Sequence, residues 1–191
     1  VNSDISLNRI FRQNDLLSVR DIEGTEYLDL EYSKAFAMVD HQIAHIYVKE
    51  NYTNSVKKIL EGIKGVDAIL DGELKRKMRI NHQRSGDLIA VSNADKWFSY
   101  YWWFDPTKAP TFAKKVDIHR KPGYDPVELF FDPVTKSIPC DGKLIKGSHG
   151  RLPSDDEPKP VYVSNKKTIT GTNESDNLSI VTIGKYLKSP L

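Results

Sequence analysis

The chain has 191 residues and a formal net charge of +2 at pH 7, and 39% of its residues are hydrophobic, which is ordinary for a globular protein. The near balance of charge excludes a general attraction to nucleic acid or anionic membrane, so any preference for anions must be local. Cys140 is the single cysteine, which excludes an intrachain disulfide framework and a thiolate zinc cage, and no apolar run approaches the roughly 20 residues that cross a bilayer.

The hydrophobic pattern of the first half of the chain predicts both helices and strands. Apolar residues at helical spacing predict helices over residues 6–17, 51–63 and 72–78, with Ser6 as the N-cap of the first. Runs rich in β-branched and aromatic residues predict strands at 27–30, 35–48, 66–70 and 86–92, the second being two strands or one long bent strand. The order β-α-β runs from Ile43 to Leu70. We therefore expect an α+β fold with a mixed sheet and flanking helices.

The C-terminal part has a different composition. A polar run with two prolines at 155–160 predicts a linker, residues 161–163 are strand-like, and residues 168–177 are typical of a loop. We therefore expect two regions, a compact body over residues 1–152 and a looser extension over residues 153–191.

Charged residues concentrate around a Pro-Gly turn in the segment VDIHRKPGYDPVELFFD, residues 116–132. If its first residues are extended, Asp117 and His119 share a face, which would suit half of a divalent-metal site or a base with its orienting partner. The alternative is a surface loop with ion pairs, which contribute little to stability.

The histidines differ in context. His149 lies between Gly147 and Gly150, which allow a close approach of the backbone to a ligand, and Lys146 and Arg151 add positive charge for a phosphoryl oxygen. A lone histidine in a loop can equally be structural.

The pattern D-H-x-x-x-H at Asp40, His41 and His45 would suit a metal on a helix. In a strand, as the composition indicates, the two histidines would stand about 13 Å apart, too far for one ion. We favour structural histidines that bond the backbone, and the same interpretation for His82.

The aromatic block WFSYYWWF, residues 97–104, predicts core packing on one face, with the remaining rings forming a wall of a cleft. The alternative is a platform that stacks a base or sugar. The sequence contains no Walker loop, dinucleotide fingerprint or serine nucleophile elbow.

Three stretches together carry a resemblance to a known family. They are AFAMVDHQIAHIYV, RSGDLIAVSNADKWFSYYWWFDPTKAPTFAKKVDIHRKPGYDPVELFFDP and KGSHGRLP. In this order they resemble the C-terminal portion of bacterial-type members of the type I phosphodiesterase/nucleotide pyrophosphatase family, which belongs to the alkaline phosphatase superfamily. The resemblance covers most of residues 1–150, and its most specific part is VDIHRKPGYDPVELF.

The resemblance implies an alkaline-phosphatase-like α/β fold of which this chain is a C-terminal fragment. It also implies two divalent metals, usually zinc, that bind the phosphoryl group and activate a threonine or serine nucleophile. His149 corresponds to the last histidine ligand of that site. The nucleophile and the other ligands precede this region in the family, and we do not find them here. Asp40-His41 is followed by Gln42 instead of glycine and lies in the wrong place in the order, so the family's Asp-His-Gly role is not assigned to it.

We therefore expect part of a metal-dependent phosphohydrolase, inactive alone, that supplies at most one zinc ligand, His149. The residues expected to line the substrate cleft are Asp117, His119, Arg120, Lys121, Tyr124 and Asp125. Arg120 or Lys121 would meet phosphate oxygens, and Tyr124 or the Trp102-Trp103 pair would meet the leaving group. The expected partners are a phosphodiester or nucleotide substrate and the remainder of the parent catalytic domain, without nucleic acid or a membrane span. The alternative is a non-catalytic binding module that uses the aromatic block as its ligand surface.

Overall fold

The computed structural model describes residues 1–115, 132–154 and 157. In chain order the strands and helices are β1 (Ser3–Ile5), α1 (Leu7–Gln13), β2 (Ser18–Ile22), β3 (Thr25–Asp29), β4 (Ala35–Asp40), β5 (Ile43–Val48), α2 (Thr53–Glu61), β6 (Val66–Leu70), α3 (Gly72–Lys77), β7 (Leu88–Ser92), β8 (Lys96–Phe98) and α4 (Thr111–Lys115). Short 3-10 helices lie at Glu50–Tyr52, Pro106–Lys108 and Gly142–Leu144. No helix within the described ranges is long and apolar enough to cross a membrane.

The chain divides into two compact units, Val1–Leu152 and Pro153–Leu191. All of the elements above belong to the first unit. The predicted strand at 161–163 and the predicted loop at 168–177 lie outside the described residues.

A four-stranded antiparallel sheet with the order β4-β5-β7-β6 forms the centre of the first unit. The run at 35–48 is two strands joined by a tight hairpin, in which Asp40 pairs with Ile43. Helix α2 connects β5 to β6, and β7 lies between these two strands, so the predicted β-α-β order is confirmed. A separate parallel pair, β1 with β8, the antiparallel hairpin of β2 and β3, and an isolated antiparallel bridge between Asp132 and Ser137 complete the pairing among the described residues. The expected α+β class is confirmed.

One face of the sheet packs on the helices. Alternate strand residues such as Ala44 and Ile46 point into this core, which is the consequence of the period of two along a strand. Val56 and Leu60 of α2 are both 0% exposed and stand one helical turn apart, as the apolar pattern predicted. Leu7 and Phe11 of α1 are buried in the same way.

Helix α1 begins after Ser6 as predicted but ends at Gln13, short of the predicted residue 17. Asp15 adopts a left-handed backbone with φ of 55°, which is incompatible with a continuing helix. Leu16 and Leu17 are nevertheless buried in the core. The hydroxyl of Ser6 does not cap the helix, because it lies 2.6 Å from Ser99 Oγ.

Most of the aromatic block is core, in agreement with the favoured interpretation. The buried members are Trp97, Phe98, Tyr101, Trp102 and Trp103. The indole Nε1 of Trp102 donates to the Glu26 carbonyl at 3.0 Å, which satisfies its polar group inside the protein. Phe104 is exposed and lies against the Arg12 guanidinium.

Candidate metal centre

The hairpin turn between β4 and β5 presents a histidine in an unusual backbone conformation. His41 has φ of 57°, a left-handed value that residues with a side chain rarely adopt, and the residue is only 4% exposed. Its carbonyl accepts the N–H of Phe98 at 2.6 Å. The ring of His41 lies 5.9 Å from that of Trp97, centroid to centroid. The turn is therefore packed into the protein.

Gln42, the second residue of the turn, bonds the turn to the start of β8 and the residues that precede it. Its side-chain Nε2 donates to the carbonyls of Asn93, Ala94 and Lys96 at 3.3, 3.2 and 3.0 Å. Its own carbonyl accepts the N–H of Ser92 at 3.0 Å. These bonds fix the position from which Asp40 and His41 project.

The loop that carries His149 docks directly on this turn. The N–H of Gln42 donates to the His149 carbonyl at 2.7 Å. Gly150 has φ of 112°, and a Cβ atom there would lie 3.1 Å from the Asp40 carbonyl and 3.0 Å from Ile43 Cγ2. Glycine is required at this position because of both the backbone conformation and the close approach.

Asp40, His41 and His149 come together as a result. One ligand atom from each lies within 4.8 Å of the others. The two imidazole rings are 4.2 Å apart between centroids, at an interplanar angle of 40°. His41 is buried, whereas Asp40 and His149 are exposed, so the cluster is anchored on one side and open on the other. Nδ1 of His41 lies 3.2 Å from Ser148 Oγ.

This donor set fits a divalent transition metal. Two imidazole nitrogens and a carboxylate oxygen are ligands that zinc takes, at distances of about 2.0–2.2 Å. In the tetrahedral geometry that zinc prefers, ligand atoms are about 3.4 Å apart, so the ligand atoms of the cluster would have to approach one another by up to about 1.5 Å to close around the ion.

The predicted site residues differ in where they lie, and some of them are outside the described residues. His149 is exposed and is part of the cluster. The cleft-lining set of Asp117, His119, Arg120, Lys121, Tyr124 and Asp125 lies outside the described residues. Lys146 is exposed and Arg151 is partly buried.

Of the histidines that the structure describes, His45 and His82 are not part of the cluster. Nδ1 of His82 accepts the N–H of Arg84 at 3.2 Å, as expected of a structural histidine. His45 lies in β5, and its buried Nδ1 has no hydrogen-bond partner within the described part of the chain, which differs from the expected bond to the backbone.

The prediction that Asp40 and His41 are structural is not what the cluster suggests. It assumes that D-H-x-x-x-H lies on one strand, but a hairpin turn interrupts the pattern after Asp40. The alternative of two strands at 35–48 contained the useful signal, because it puts Asp40-His41 at a hairpin tip, where side chains reach a distant loop.

The family model of type I phosphodiesterase / nucleotide pyrophosphatase matches residues 1–125. The chain belongs to this family. Two crystal structures of phosphonoacetate hydrolase from Sinorhizobium meliloti 1021 are similar to this family member. The complex with phosphonoacetate has 18% identity and a TM-score of 0.36, and the complex with phosphonoformate has 20% identity and a TM-score of 0.36. In both cases the match covers 52% of this chain and 24% of that chain, so this chain spans about a quarter of that hydrolase. No curated protein matches.

Proposed function

We propose that this chain forms part of a metal-dependent phosphohydrolase of the phosphodiesterase/nucleotide pyrophosphatase type, in which Asp40, His41 and His149 hold one zinc ion. The convergence of these three side chains, from segments more than a hundred residues apart, is the observation that carries the proposal. Membership of the family supports the same conclusion. The proposal extends the expectation of a single ligand, His149, to three.

Each residue has a distinct part in this site. His41 is buried and fixed by the turn, so it would set the position of the ion. Asp40 and His149 are exposed, so they would complete the coordination while leaving one side open to solvent and substrate. When bound, a zinc ion at an open site supplies Lewis-acid polarisation of a phosphoryl oxygen.

We further propose that the chain is inactive alone. The family resemblance implies a second metal and a threonine or serine nucleophile, and the sequence offers no motif for either. Both would come from the remainder of the parent catalytic domain. The parent's substrate would be a phosphodiester or a nucleotide.

Zinc titration of the purified chain by calorimetry tests the site. We expect one site in the wild type, and in the His149→Ala and His41→Ala variants an affinity loss larger than the roughly 10–100-fold that removal of an outer partner costs. His82→Ala is the matched control, because it removes an exposed histidine outside the cluster. Near-ultraviolet circular dichroism checks that the variants fold. Equal zinc affinity in folded wild type and folded His149→Ala would refute the site.

Hydrolysis of a nitrophenyl phosphodiester with added zinc tests the need for the parent. We expect no cleavage by the chain alone. Cleavage that the wild type performs and His149→Ala does not would show that the chain carries a complete site, and the proposal of an incomplete one would be wrong.

The residues predicted to line the substrate cleft can be tested in the full-length parent enzyme. Arg120→Ala in the full-length parent should raise KM or lower kcat for a phosphodiester, because a guanidinium binds phosphate oxygens in two places. Lys64→Ala, a change of an exposed cation elsewhere, serves as the control. Unchanged kinetics for Arg120→Ala would remove this residue from the cleft.

The rival function, a binding module with an aromatic surface, receives less support. Most of the rings on which it would depend are buried in the core, and of the aromatic block only Phe104 is strongly exposed among the described residues.

A further inference from the structure

A strongly basic segment follows the N-terminal end of α3. Residues Leu74–Gly86, LKRKMRINHQRSG, contain five lysines and arginines and no acidic residue. This segment, called here the basic segment, therefore carries more positive charge than the whole chain's net value of +2. It lies outside the metal centre.

Four of these five basic side chains are exposed to solvent. Arg76, Lys77, Arg79 and Arg84 are exposed, and no ion pair joins any of them to an acidic group of the described ranges. By contrast, Arg12 and Arg20 are neutralised by ion pairs with Glu26 and Asp29. The fifth cation, Lys75, is buried and serves the structure of the segment.

The backbone of the basic segment is held in place by its own bonds. Lys75 Nζ donates to the Gly86 carbonyl at 2.6 Å, and Ser85 Oγ donates to the Ile80 carbonyl at 2.6 Å. The hydroxyl of Tyr47 in β5 donates to the Arg84 carbonyl at 2.8 Å. Binding through the four exposed cations would therefore cost little additional ordering of the backbone.

Two large apolar side chains accompany the cations. Leu74 and Met78 are 40% and 39% exposed, and they stand four residues apart, which places them on one side of the helical turn. Lysines and arginines beside exposed apolar side chains are typical of segments that lie at a bilayer surface, where the long basic side chains reach the headgroups. Surfaces that bind single-stranded nucleic acid stack bases mainly on phenylalanine, tyrosine and tryptophan rings, and the basic segment contains none of these three residues.

We propose that the basic segment docks this protein onto the surface of an anionic phospholipid bilayer. Arg76, Lys77, Arg79 and Arg84 bind the anionic headgroups, and Leu74 and Met78 enter the interface. This is contact with the membrane surface only. The proposal is independent of the metal centre and of the proposed hydrolase function.

Co-sedimentation of the full chain with phospholipid vesicles tests the proposal. We expect binding to vesicles of phosphatidylcholine with phosphatidylglycerol, no binding to pure phosphatidylcholine, and weaker binding as salt rises. The variant Arg76→Gln/Lys77→Gln/Arg79→Gln/Arg84→Gln should lose roughly 100-fold or more in affinity, because each basic residue near an anionic surface contributes several-fold.

The matched control removes the same charge from elsewhere on the surface. Its substitutions are Lys58→Gln, Lys64→Gln, Lys136→Gln and Lys143→Gln, all of exposed residues outside the ion pairs described. This control should keep most of the affinity. Leu74→Ser/Met78→Ser should weaken the binding that persists at high salt.

Two outcomes would overturn the proposal. They are absence of vesicle binding by the folded wild type, with or without binding of an oligonucleotide by the basic segment, and equal losses in the two quadruple variants. Oligonucleotide binding in the absence of vesicle binding would make nucleic acid the partner.

Discussion

His41 occupies a backbone conformation that costs about 1–2 kcal/mol for a residue with a side chain. Glycine or asparagine is the ordinary occupant of such a turn position. The surrounding bonds of Gln42, together with the bond from Phe98 to the His41 carbonyl, hold the turn despite that cost. An imidazole kept where glycine would be easier is consistent with a chemical task for the ring, and strained positions concentrate at such sites.

Ser148 should position the His41 ring for metal binding. Its Oγ lies 3.2 Å from Nδ1, so a bond there leaves Nε2 as the atom that coordinates the ion. Ser148→Ala should lower zinc affinity by roughly 10-fold or more and change the proportion of the two His41 tautomers, which ¹⁵N NMR of the metal-free protein measures. Ser148→Thr should restore both, and Ser154→Ala should change neither. Identical tautomer populations in wild type and Ser148→Ala would contradict this role.

Gly150 should matter more than Gly147 although both flank the same loop. A Cβ at 150 would press on the Asp40 carbonyl and on Ile43, whereas a Cβ at 147 would meet nothing within 4 Å. Gly150→Ala should therefore cost about 1–3 kcal/mol of stability and weaken zinc binding, because the loop and the turn separate. Urea unfolding and zinc titration measure the two effects. A loss of similar size in Gly147→Ala would mean that the loop itself, not its contact with the turn, is the sensitive element.

Helix α1 protects the free edge of the central sheet. β4 is an edge strand in the order β4-β5-β7-β6, and an open edge can pair with another chain. Asn8 Nδ2 donates to the Ala37 carbonyl at 3.0 Å, and the Ala37 N–H donates to Asn8 Oδ1 at 2.8 Å. The amide of Asn8 thus substitutes for a neighbouring strand at this point, inside a site where Asn8 is only 1% exposed.

Removing this amide should destabilise the fold. Asn8→Ala leaves a buried N–H and a buried carbonyl of Ala37 without partners, which should cost about 1–3 kcal/mol. Asn14→Ala, at the exposed end of the same helix, removes a bond to the Ile10 carbonyl and should cost under about 0.5 kcal/mol. Chemical denaturation compares the two. Equal losses would show that the two buried hydrogen bonds between Asn8 and Ala37 contribute no more to stability than the exposed bond of Asn14.

Most elements formed by interactions between residues close in sequence were predicted, whereas features formed by residues far apart in sequence were not. Periodicity located α2 and β6 because local patterns specify them, and it predicted strand structure over residues 35–48 without deciding between two strands and one bent strand. It missed β2, whose sequence SVRDI is partly or fully exposed and lacks an apolar alternation, and it missed the metal cluster. The bond from Gln42 to His149 joins residues far apart in sequence, and no local pattern of apolar residues encodes it. The local signs of the site were the glycines around His149 and the possible break between two strands at Asp40-His41.

The free energy of unfolding should fall in acid, because aspartates that stabilise the fold when ionised become protonated. Five of the described aspartates have a pKa below the ordinary value, namely Asp21, Asp29, Asp71, Asp105 and Asp132. The hydrogen bond from Arg20, at 2.5 Å from Nε to Oδ2, is the main cause of the lowered pKa of Asp29. For Asp71 the main cause of the lowered pKa is the Leu74 N–H.

These lowered pKa values fix the pH range of the effect. Because the unfolded chain takes up protons near pH 4, before the folded chain does, the stabilisation is complete above about pH 4 and is lost as pH falls through the folded-state pKa values. The free energy of unfolding in urea should therefore be nearly constant from neutral pH to about pH 5 and decline below about pH 4.

Asp29→Asn lacks one of these carboxylates and Arg20→Gln lacks its partner, so both variants should be less stable at neutral pH and should decline less steeply in acid. Arg84→Gln, which removes an arginine outside any described ion pair, should follow the wild-type curve. If the acid decline of Asp29→Asn matched that of the wild type, the Arg20–Asp29 pair would have no part in the acid sensitivity, and protonation elsewhere would govern it.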